Sequence, residues 1–219
     1  MSPVFDLKNA SAGYEGRPVL VDVDLTIGRG ERVAIMGRSG AGKSTLVRLL
    51  FGQRPAEIAL VPQAAALVRT LSVFHNVYMG RLDRRSTLHN LRTLVRPRRD
   101  DVDEVGAIVA SVGLADKLFS PAGALSGGQQ QRTSVARALY NGRPILVGDE
   151  PCSALDRVQA AEILSLLSRR HETMVLVLHD IGLALEHTDR IVVLEHGRKV
   201  LDAPRASLGP ADLIPYYGG

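Results

Sequence analysis

The chain has 219 residues, of which 45% are hydrophobic and 23% are charged, and it carries a formal net charge of +4 at pH 7. This composition is typical of a globular protein and excludes a disordered tail, a collagen-like repeat and a coiled coil. The single Cys152 can form no intrachain disulfide, which indicates a reducing compartment. The chain has no run of about 18 apolar residues, so no membrane span is predicted. The N-terminal segment lacks the apolar core of a signal peptide. We therefore expect a soluble, cytoplasmic protein.

The positive charge is concentrated in one stretch of the chain. Between Arg81 and Arg99 there are seven arginines and one acid, Asp83, so the rest of the chain is net acidic. Tryptophan is absent and aromatic residues make up only 4%, which leaves no stacking platform for bases and argues against nucleic acid. The arginine-rich stretch either faces a membrane surface or acidic loops of a partner, or is an exposed solvated segment.

The first third of the chain predicts strands around one glycine-rich loop. Apolar residues at every second position, Val19, Val21, Val23 and Leu25, predict a half-buried strand with these side chains inward. Three further elements follow in chain order: a buried strand at 32–36, a helix at 43–51 and a strand at 58–61.

Strand-like runs disappear between residues 73 and 125, where the spacing at 102–112 predicts a helix. Strands and helices then alternate. The predicted helices are 132–140, 157–170 and 181–186, and the predicted strands are 145–147, 174–178 and 191–194. This alternation indicates a mainly parallel sheet covered by helices on both faces.

The loop from Gly37 to Ser44 matches the pattern G-x-x-x-x-G-K-[ST] between a predicted strand and a predicted helix. Glycines let the backbone turn tightly enough to aim its N–H groups at phosphate oxygens, and the helix N-terminus adds further donors. Lys43 can neutralise phosphate charge and the Ser44 hydroxyl can bind Mg²⁺. The predicted phosphate-binding residues are Gly37, Arg38, Ser39, Gly40, Ala41, Gly42, Lys43, Ser44 and Thr45.

Two acids end the apolar strand that begins at Ile145. Strand alternation turns the side chains of Asp149 and Glu150 in different directions, which allows two roles. Asp149 would hold the Mg²⁺ shell, and Glu150 would polarise the attacking water. Gly148, just before them, has no side chain to pack. We expect this to loosen the packing of the strand and to lower the free energy of unfolding by about 0.5–1 kcal/mol.

A second glycine-rich helix start lies at 125–129, with the sequence LSGGQ. Ser126 is a suitable N-cap, and Gly127 and Gly128 permit close approach of a phosphate to the N-terminus of the following helix. One chain therefore carries two helix N-termini suited to phosphate.

These motifs together closely resemble the nucleotide-binding subunits of ATP-binding-cassette (ABC) transporters. The matching elements, in chain order, are Tyr14 at the adenine-stacking position, GRSGAGKST (37–45), Gln63, LSGGQ (125–129), ILVGDE (145–150), SALD (153–156) and His179. Taken alone, Tyr14 could instead cap a hairpin, and a lone glutamine or histidine would carry little weight. A small-molecule kinase would share only the first phosphate motif.

The resemblance implies an α/β fold: a P-loop NTPase (ABC ATPase) core with a mainly parallel sheet. A small N-terminal antiparallel β portion precedes this core. Only 20 residues separate Lys43 from Gln63, so we expect this portion to be trimmed and the strand hairpin between these residues to be missing. Residues 1–219 would form one ABC ATPase domain, with a helical subdomain at about 65–125 inserted between the two parts of the core.

The resemblance also implies ATP and Mg²⁺ as cofactors and assigns the catalytic roles. Glu150 resembles the general base, His179 the residue that contacts the γ-phosphate and the attacking water, and Gln63 the residue that senses Mg²⁺ and water. Ser44, Gln63 and Asp149 would be the metal-site residues.

A further implication is a head-to-tail dimer, either of two copies or with a second ATPase subunit. Each ATP would lie between the phosphate loop of one subunit and the LSGGQ of the other, which supplies Ser126, Gly127, Gly128 and Gln129 in trans. Asp156 would lie at the dimer seam. Closure with ATP and opening after hydrolysis would provide the mechanical stroke.

The implied function is to power a membrane ABC transporter, with the ATPase peripheral on the cytoplasmic face of the cell membrane. Integral permease subunits would contact the helical subdomain and the Gln63 segment, where Phe74, Val77, Tyr78 and Met79 line either the docking groove or the core of the lobe. A solute-binding protein would act indirectly, and no nucleic acid is expected. The run at 75–91 resembles phosphonate-type importer ATPases; the alternatives are an exporter-type cassette and a soluble ABC ATPase in nucleic-acid or translation function.

Overall fold

The computed structural model describes residues 3–14 and 16–217, and the chain divides into two compact units. The first unit comprises Met1–Leu60 and Arg143–Gly219, and the second comprises Val61–Gly142. None of the described helices has the length and hydrophobicity that a bilayer crossing requires.

The strands are, in chain order, β1 (Phe5–Tyr14), β2 (Arg17–Ile27), β3 (Arg32–Met36), β4 (Ile58–Val61), β5 (Ile145–Asp149), β6 (Thr173–Val177), β7 (Arg190–Glu195) and β8 (Arg198–Pro204). Six of them form one sheet in the spatial order β4-β5-β6-β3-β7-β8. Strand β3 pairs in parallel with both β6 and β7, β5 pairs in parallel with β6, and β8 is antiparallel to β7. The mainly parallel sheet predicted from the alternating pattern is confirmed.

The helices are α1 (Lys43–Gln53), α2 (Val73–Tyr78), α3 (Thr87–Val95), α4 (Arg99–Ser111), α5 (Gly127–Asn141), α6 (Arg157–Arg170), α7 (Ile181–His187) and α8 (Pro210–Leu213). Helix α6 has the predicted bounds, and α1 runs two residues beyond its predicted end. Helix α5 begins five residues before the predicted start, because Ser126 caps it from outside. Between α1 and β4 there is no further strand in this described stretch, as the short spacing predicted.

The core of the first unit lies between the six-stranded sheet, α1 and the N-terminal hairpin. Leu46 and Leu50 of α1 are fully buried against side chains from β3, β5 and β6, among them Ile35, Val147 and Val177. Strand β5 is buried at every position, as expected for a parallel strand covered on both faces. The carboxyl ends of β3, β5 and β6 are therefore held in place by buried strands.

Strands β1 and β2 form a separate antiparallel sheet, the small N-terminal portion that the resemblance implies. The predicted inward face of β2 is wrong in its first half: Leu20 is fully buried, whereas Val19 and Val21 are only half-buried. The cause is a bulge at Asp22, whose φ is 51° and whose N–H donates to Ser11 Oγ at 3.0 Å. The extra residue reverses the phase, and alternation resumes at Val23.

The packing around Gly148 contradicts the expected loosening of β5. A Cβ at this position would lie 3.0 Å from Leu176 Cδ2 and 3.2 Å from Pro151 Cγ. These two side chains already occupy the space that a larger residue would take. The glycine therefore permits close packing of β5 instead of weakening it.

The second unit is mainly helical, and its core includes part of the segment around α2. Phe74, Val77 and Tyr78 are buried, and the Phe74 ring packs on Tyr78 and Phe119. Phe74 and Val77 belong to the core of the unit and do not line a groove. Tyr78 packs in the core and also borders an open cavity, together with the half-buried Met79.

Candidate functional site

The phosphate loop leaves β3 at Gly37 and enters α1 at Lys43, as the motif predicts. Gly37 has a φ of 134°, and a Cβ there would lie 2.1 Å from the Leu194 carbonyl oxygen. Gly42, the N-cap of α1, has a φ of 101°, and a Cβ there would lie 2.6 Å from a Leu20 methyl group. Both positions exclude any side chain, because the backbone conformation and the space are each suited only to glycine.

The side chain of Lys43 is folded back over the phosphate loop. Its Nζ donates to the carbonyl oxygens of Gly37 at 2.7 Å and Arg38 at 2.8 Å. Burial lowers the pKa of Lys43, while the charges of Glu150 and Asp149 raise it. The ammonium group is thus held at the loop, where it can exchange these hydrogen bonds for bonds to phosphate oxygens of a ligand.

The Asp149 carboxylate lies beside the Ser44 hydroxyl, which is hydrogen-bonded to it. Burial raises the pKa of Asp149, and that hydrogen bond opposes the shift. The second oxygen, Oδ1, is buried and has no hydrogen-bond partner among the described residues. A buried carboxylate oxygen next to a hydroxyl fits Mg²⁺, which takes few protein ligands and completes its shell with water and phosphate oxygens.

No group of three or more histidine, cysteine, aspartate or glutamate side chains in the described part of the chain could hold a metal by itself. Ser44 and Asp149 together offer two oxygen ligands, and Mg²⁺ can complete its shell with water and phosphate oxygens.

Glu150 and His179 follow the adjacent parallel strands β5 and β6, and their side chains meet. His179 Nε2 lies 2.7 Å from Glu150 Oε1. Glu150 has a φ of 55°, a conformation that non-glycine residues rarely adopt and that is often stored at functional sites. The strand end thus turns its two acids apart, with Asp149 toward Ser44 and Glu150 toward His179.

Tyr14, at the end of β1, is held next to the first turn of α1. Its hydroxyl accepts a hydrogen bond from Arg48 Nη1 at 2.6 Å and lies 3.5 Å from Thr45 Oγ1. The residue is 48% exposed, and the Arg48 guanidinium lies over its ring, 5.6 Å from the ring centre. Arg48 itself was not predicted as a site residue; a basic residue one turn after the motif gives no signal that separates it from a solvated helix face.

Asp156 has a structural role that its motif does not reveal. It is the N-cap of α6, and its Oδ1 accepts from the backbone N–H of Gln159 at 2.9 Å. The residue remains exposed. A contact with a second subunit at this position stays a prediction.

The remaining predicted residues belong to the second unit. Gln63 is exposed two residues after β4. Ser126 caps α5 as predicted, in a reciprocal arrangement: Gln129 N–H donates to Ser126 Oγ at 3.3 Å, and Ser126 N–H donates to Gln129 Oε1 at 3.0 Å. Gly127 and Gly128 form the first turn of α5, where backbone N–H groups lack intrahelical acceptors.

Helix α3, which belongs to the second unit, turns its polar side chains toward the interior of that unit. His89 Nε2 lies 2.9 Å from Asp101 Oδ2, and Asn90 Oδ1 accepts from the Tyr78 hydroxyl at 3.0 Å. Thr93 is fully buried and donates to Asp101 Oδ2 at 3.4 Å. Burial is usually reserved for the apolar face of a helix, so α3 is inverted.

The opposite side of α3 is apolar and exposed. Its side chains are 79%, 59%, 50% and 87% exposed at Leu88, Leu91, Leu94 and Val95 respectively. Leu91 and Leu94 also line a cavity of 270 Å³ with Leu71, Met79 and Leu82. We refer to the exposed leucines and Val95 with this cavity as the α3 surface. Clusters of exposed apolar side chains mark interaction sites.

Part of the arginine-rich stretch has a role inside the second unit. Arg81 pairs with Glu104 and its guanidinium lies 4.2 Å from the centre of the Tyr140 ring. Arg92 and Arg96 are exposed next to Leu91 and Val95 in the sequence, and Arg84 is exposed before α3. Arg85 lies 3.8 Å from the buried Asp101 carboxylate. The stretch therefore makes internal contacts at Arg81 and Arg85 and also carries exposed arginines beside the apolar residues of α3.

Comparison with known proteins identifies close relatives. A family model described as "ABC transporter" matches residues 20–153. The chain is 40% identical to the phosphonates import ATP-binding protein PhnC of Pseudomonas entomophila, with 96% of this chain and 90% of the relative aligned. It is 33% identical to the protein of that name from Caulobacter vibrioides, over 99% of this chain and 94% of the relative.

Solved structures of ABC transporter cassettes have a similar fold. The cassette MJ0796, described as a bacterial ABC transporter cassette in a dimeric structure, superposes with a TM-score of 0.79 and 27% identity. That match covers 93% of this chain and 99% of the cassette. A dimeric structure of the same cassette in a post-hydrolysis state with ADP and Pi superposes with a TM-score of 0.75 over the same shares.

Proposed function

Because this chain belongs to the ABC transporter family and is an ATPase within it, we propose that it powers the import of phosphonates or of a related small anionic solute. The observation that carries the substrate class is the 40% identity to a phosphonates import ATP-binding protein across nearly the full length of both chains. The site geometry supports the chemistry, since the phosphate loop, the Asp149 carboxylate and the Glu150–His179 pair all lie at the carboxyl ends of neighbouring parallel strands.

In this proposal the phosphate loop, 37–45, holds the β- and γ-phosphates through the Lys43 ammonium and the backbone N–H groups that follow Gly37, and the adenine stacks on the Tyr14 ring. Ser44 and Asp149 would hold Mg²⁺, which when bound neutralises charge on the phosphates. Gln63 would sense the metal and the attacking water. The unpartnered Asp149 Oδ1 next to the Ser44 hydroxyl supports this assignment.

Hydrolysis would use Glu150 as the general base and His179 as the residue that contacts the γ-phosphate. Glu150 accepts a proton from water as the water attacks phosphorus, and His179 donates a hydrogen bond to the transferring group. The 2.7 Å contact between these two side chains supports their joint action, because it places base and donor at one point.

We further propose that two cassettes close head to tail around two ATP molecules. Ser126, Gly127, Gly128 and Gln129 of one subunit would bind the phosphates held by the phosphate loop of the other, and Asp156 would lie at the seam. A symmetric interface closes both pockets at once. The capping box at Ser126 supports this role, because it fixes the orientation of the N-terminal turn of α5.

The permease is proposed to dock on the α3 surface, within a helical subdomain at about 65–125. The occupant would be a cytoplasmic amphipathic segment of the permease with apolar side chains for the 270 Å³ cavity and acidic side chains for the bordering arginines. The ATPase would then be peripheral on the cytoplasmic face of the membrane, and a solute-binding protein would deliver the substrate from the other side.

Growth on a phosphonate tests the proposed substrate. In the source organism, deletion of the gene for this chain should abolish growth on a phosphonate as sole phosphorus source and leave growth on inorganic phosphate unchanged. Wild-type chain should restore growth, whereas Glu150→Gln, which binds ATP but lacks the base, should not. Undiminished growth of the deletion strain on phosphonates would contradict the proposed substrate.

A further inference from the structure

The last described residue, Tyr217, contacts the catalytic end of the sheet. Helix α8 is followed by a short 3-10 turn, Ile214–Tyr216, which leads the chain toward the ends of β3 and β6. Leu213 is fully buried and anchors this segment. Tyr217 N–H then donates to the Ile214 carbonyl at 2.9 Å, which fixes the direction of the last residue.

The Tyr217 hydroxyl lies in a fork between two strands. The backbones of β3 and β6 are paired up to the hydrogen bond from Leu178 N–H to the Ile35 carbonyl, at 3.2 Å. Beyond that bond one backbone turns into the phosphate loop at Gly37 and the other continues to His179. The phenol bridges the fork: it accepts from Gly37 N–H at 3.1 Å and donates to the Leu178 carbonyl at 3.0 Å.

These two hydrogen bonds satisfy backbone groups at the first residue of the phosphate loop and at the residue before His179. The Tyr217 ring also meets the His179 imidazole edge-on, with ring centres 6.3 Å apart and planes at 85°. The imidazole therefore contacts both the Tyr217 ring and the Glu150 carboxylate. Edge-to-face ring pairs are attractive and orient both partners.

The phenol is suited to a donor role because it stays protonated. Burial raises the pKa of Tyr217, the hydrogen bond with Gly37 opposes the shift, and the negative charge of Glu150 adds to it. A neutral hydroxyl can donate and accept at once. Its bonds to Leu178 and Gly37 use both capacities.

We propose that Tyr217 is a positioning residue for ATP hydrolysis, which holds His179 in register with the phosphate loop through the Leu178 carbonyl, the Gly37 N–H and the edge of its ring. The C-terminal segment thus becomes part of the catalytic apparatus, although it carries no nucleotide-binding motif. The inference rests on the ATPase activity of the chain. It needs neither a particular transport substrate nor a particular permease.

The test compares Tyr217→Phe with Tyr216→Phe in the full-length chain. The first substitution keeps the ring and removes both hydrogen bonds of the hydroxyl, and Tyr216, its half-buried neighbour, is the matched control. We expect Tyr217→Phe to lower kcat roughly tenfold, as outer groups that orient catalytic side chains do. The KM for ATP and the affinity for ADP should stay within about twofold, because the phosphate loop keeps its own ligands. Tyr216→Phe should resemble the wild type in every measurement.

Thermal unfolding separates positioning from simple anchoring. Rates are compared at a temperature at which circular dichroism shows every variant to be folded. A lower Tm with unchanged kcat would show that Tyr217 only anchors the C-terminus and would overturn the inference. So would a parallel loss of ADP binding, because the phenol would then support the loop and not His179. A wild-type chain without ATPase activity would instead refute the assigned reaction.

Discussion

His179 Nε2 and Glu150 Oε1 are 2.7 Å apart, although the two residues follow different strands. Their strands, β6 and β5, are parallel neighbours, so their carboxyl ends meet at one edge of the sheet. Glu150 is 18% exposed and His179 is 42% exposed. The contact engages one oxygen of the Glu150 carboxylate and one nitrogen of the His179 ring, which brings the proposed base and the proposed γ-phosphate contact together at this edge.

The role of Lys43 predicts a loss of binding on substitution. Lys43→Ala removes the ammonium group that donates to Gly37 and Arg38 and that would pass to the phosphates. ATP affinity should fall at least about 100-fold, since charge-assisted hydrogen bonds are among the strongest single contacts. Calorimetric titration measures this, with Lys8→Ala, an exposed lysine, as the control. Micromolar affinity retained in Lys43→Ala would contradict the assigned phosphate site.

Two glycine substitutions should change stability in opposite directions. Gly148→Ala places a methyl group 3.0 Å from Leu176 Cδ2 and should lower the free energy of unfolding by about 1–3 kcal/mol through overpacking. Gly52→Ala, on exposed α1 backbone where a Cβ meets no described atom within 4 Å, should raise it by about 0.5–1 kcal/mol. Urea denaturation measures both. If Gly148→Ala raised the free energy of unfolding, the packing around this position would be loose, contrary to the structure.

Cys152 should be unreactive while the chain is folded. Burial raises the pKa of its thiol from 9.0 to about 12. The reactive thiolate at pH 8 is therefore roughly 1,000-fold scarcer than in the unfolded chain. Alkylation followed by mass spectrometry should show slow labelling in buffer and rapid labelling in urea. Equal rates in the two solutions would mean that the thiol is accessible in the native state, and Cys152→Ala should not label at all.

The sign of the stability effect at Cys152 follows from the same shift. The folded state keeps the proton at pH values where the unfolded state has lost it. The contribution of this group is fully present below pH 9.0 and is lost as the pH rises toward about 12. Unfolding measured across this range should show a steeper loss of stability in the wild type than in Cys152→Ala.

Docking on the α3 surface predicts a separable defect. Leu91→Glu introduces a charge beside the 270 Å³ cavity and should reduce co-purification with a co-expressed permease at least about tenfold. ATP binding by the isolated chain should not change, because Leu91 lies outside the phosphate site. Val200→Glu, at an exposed position of β8, is the matched control. Equal recovery of permease with both variants would exclude the α3 surface as the docking site.

The sequence predicted the sheet and the phosphate loop because both depend on local patterns. Gly37 and Gly42 sit where glycine alone fits, and buried strands such as β5 read as short apolar runs. The failures have one physical cause, which is that local patterns carry no information about tertiary partners. The bulge at Asp22 shifted the phase of β2, and the space beside Gly148 is filled by Leu176 of the neighbouring strand and by Pro151.

Two features of the site had no sequence signal. Helix α3 has an ordinary amphipathic pattern, but its polar side faces inward because Asp101 is buried beneath it. Tyr217 reaches Gly37 and Leu178 from the far end of the chain. Such contacts join residues that are far apart in the sequence, so only the folded structure reveals them.

The central claim is that two phosphate-holding turns on opposite subunits clamp each ATP. The most direct test is the mass of the Glu150→Gln chain in solution with saturating ATP, measured by light scattering. General-base removal typically costs about 100- to 10,000-fold in rate, so ATP should persist. The account predicts that the mass doubles from 23.6 kDa, and that adding Gly128→Asp prevents doubling without preventing ATP binding. A mass that stays at 23.6 kDa, or doubling that survives Gly128→Asp, would contradict it.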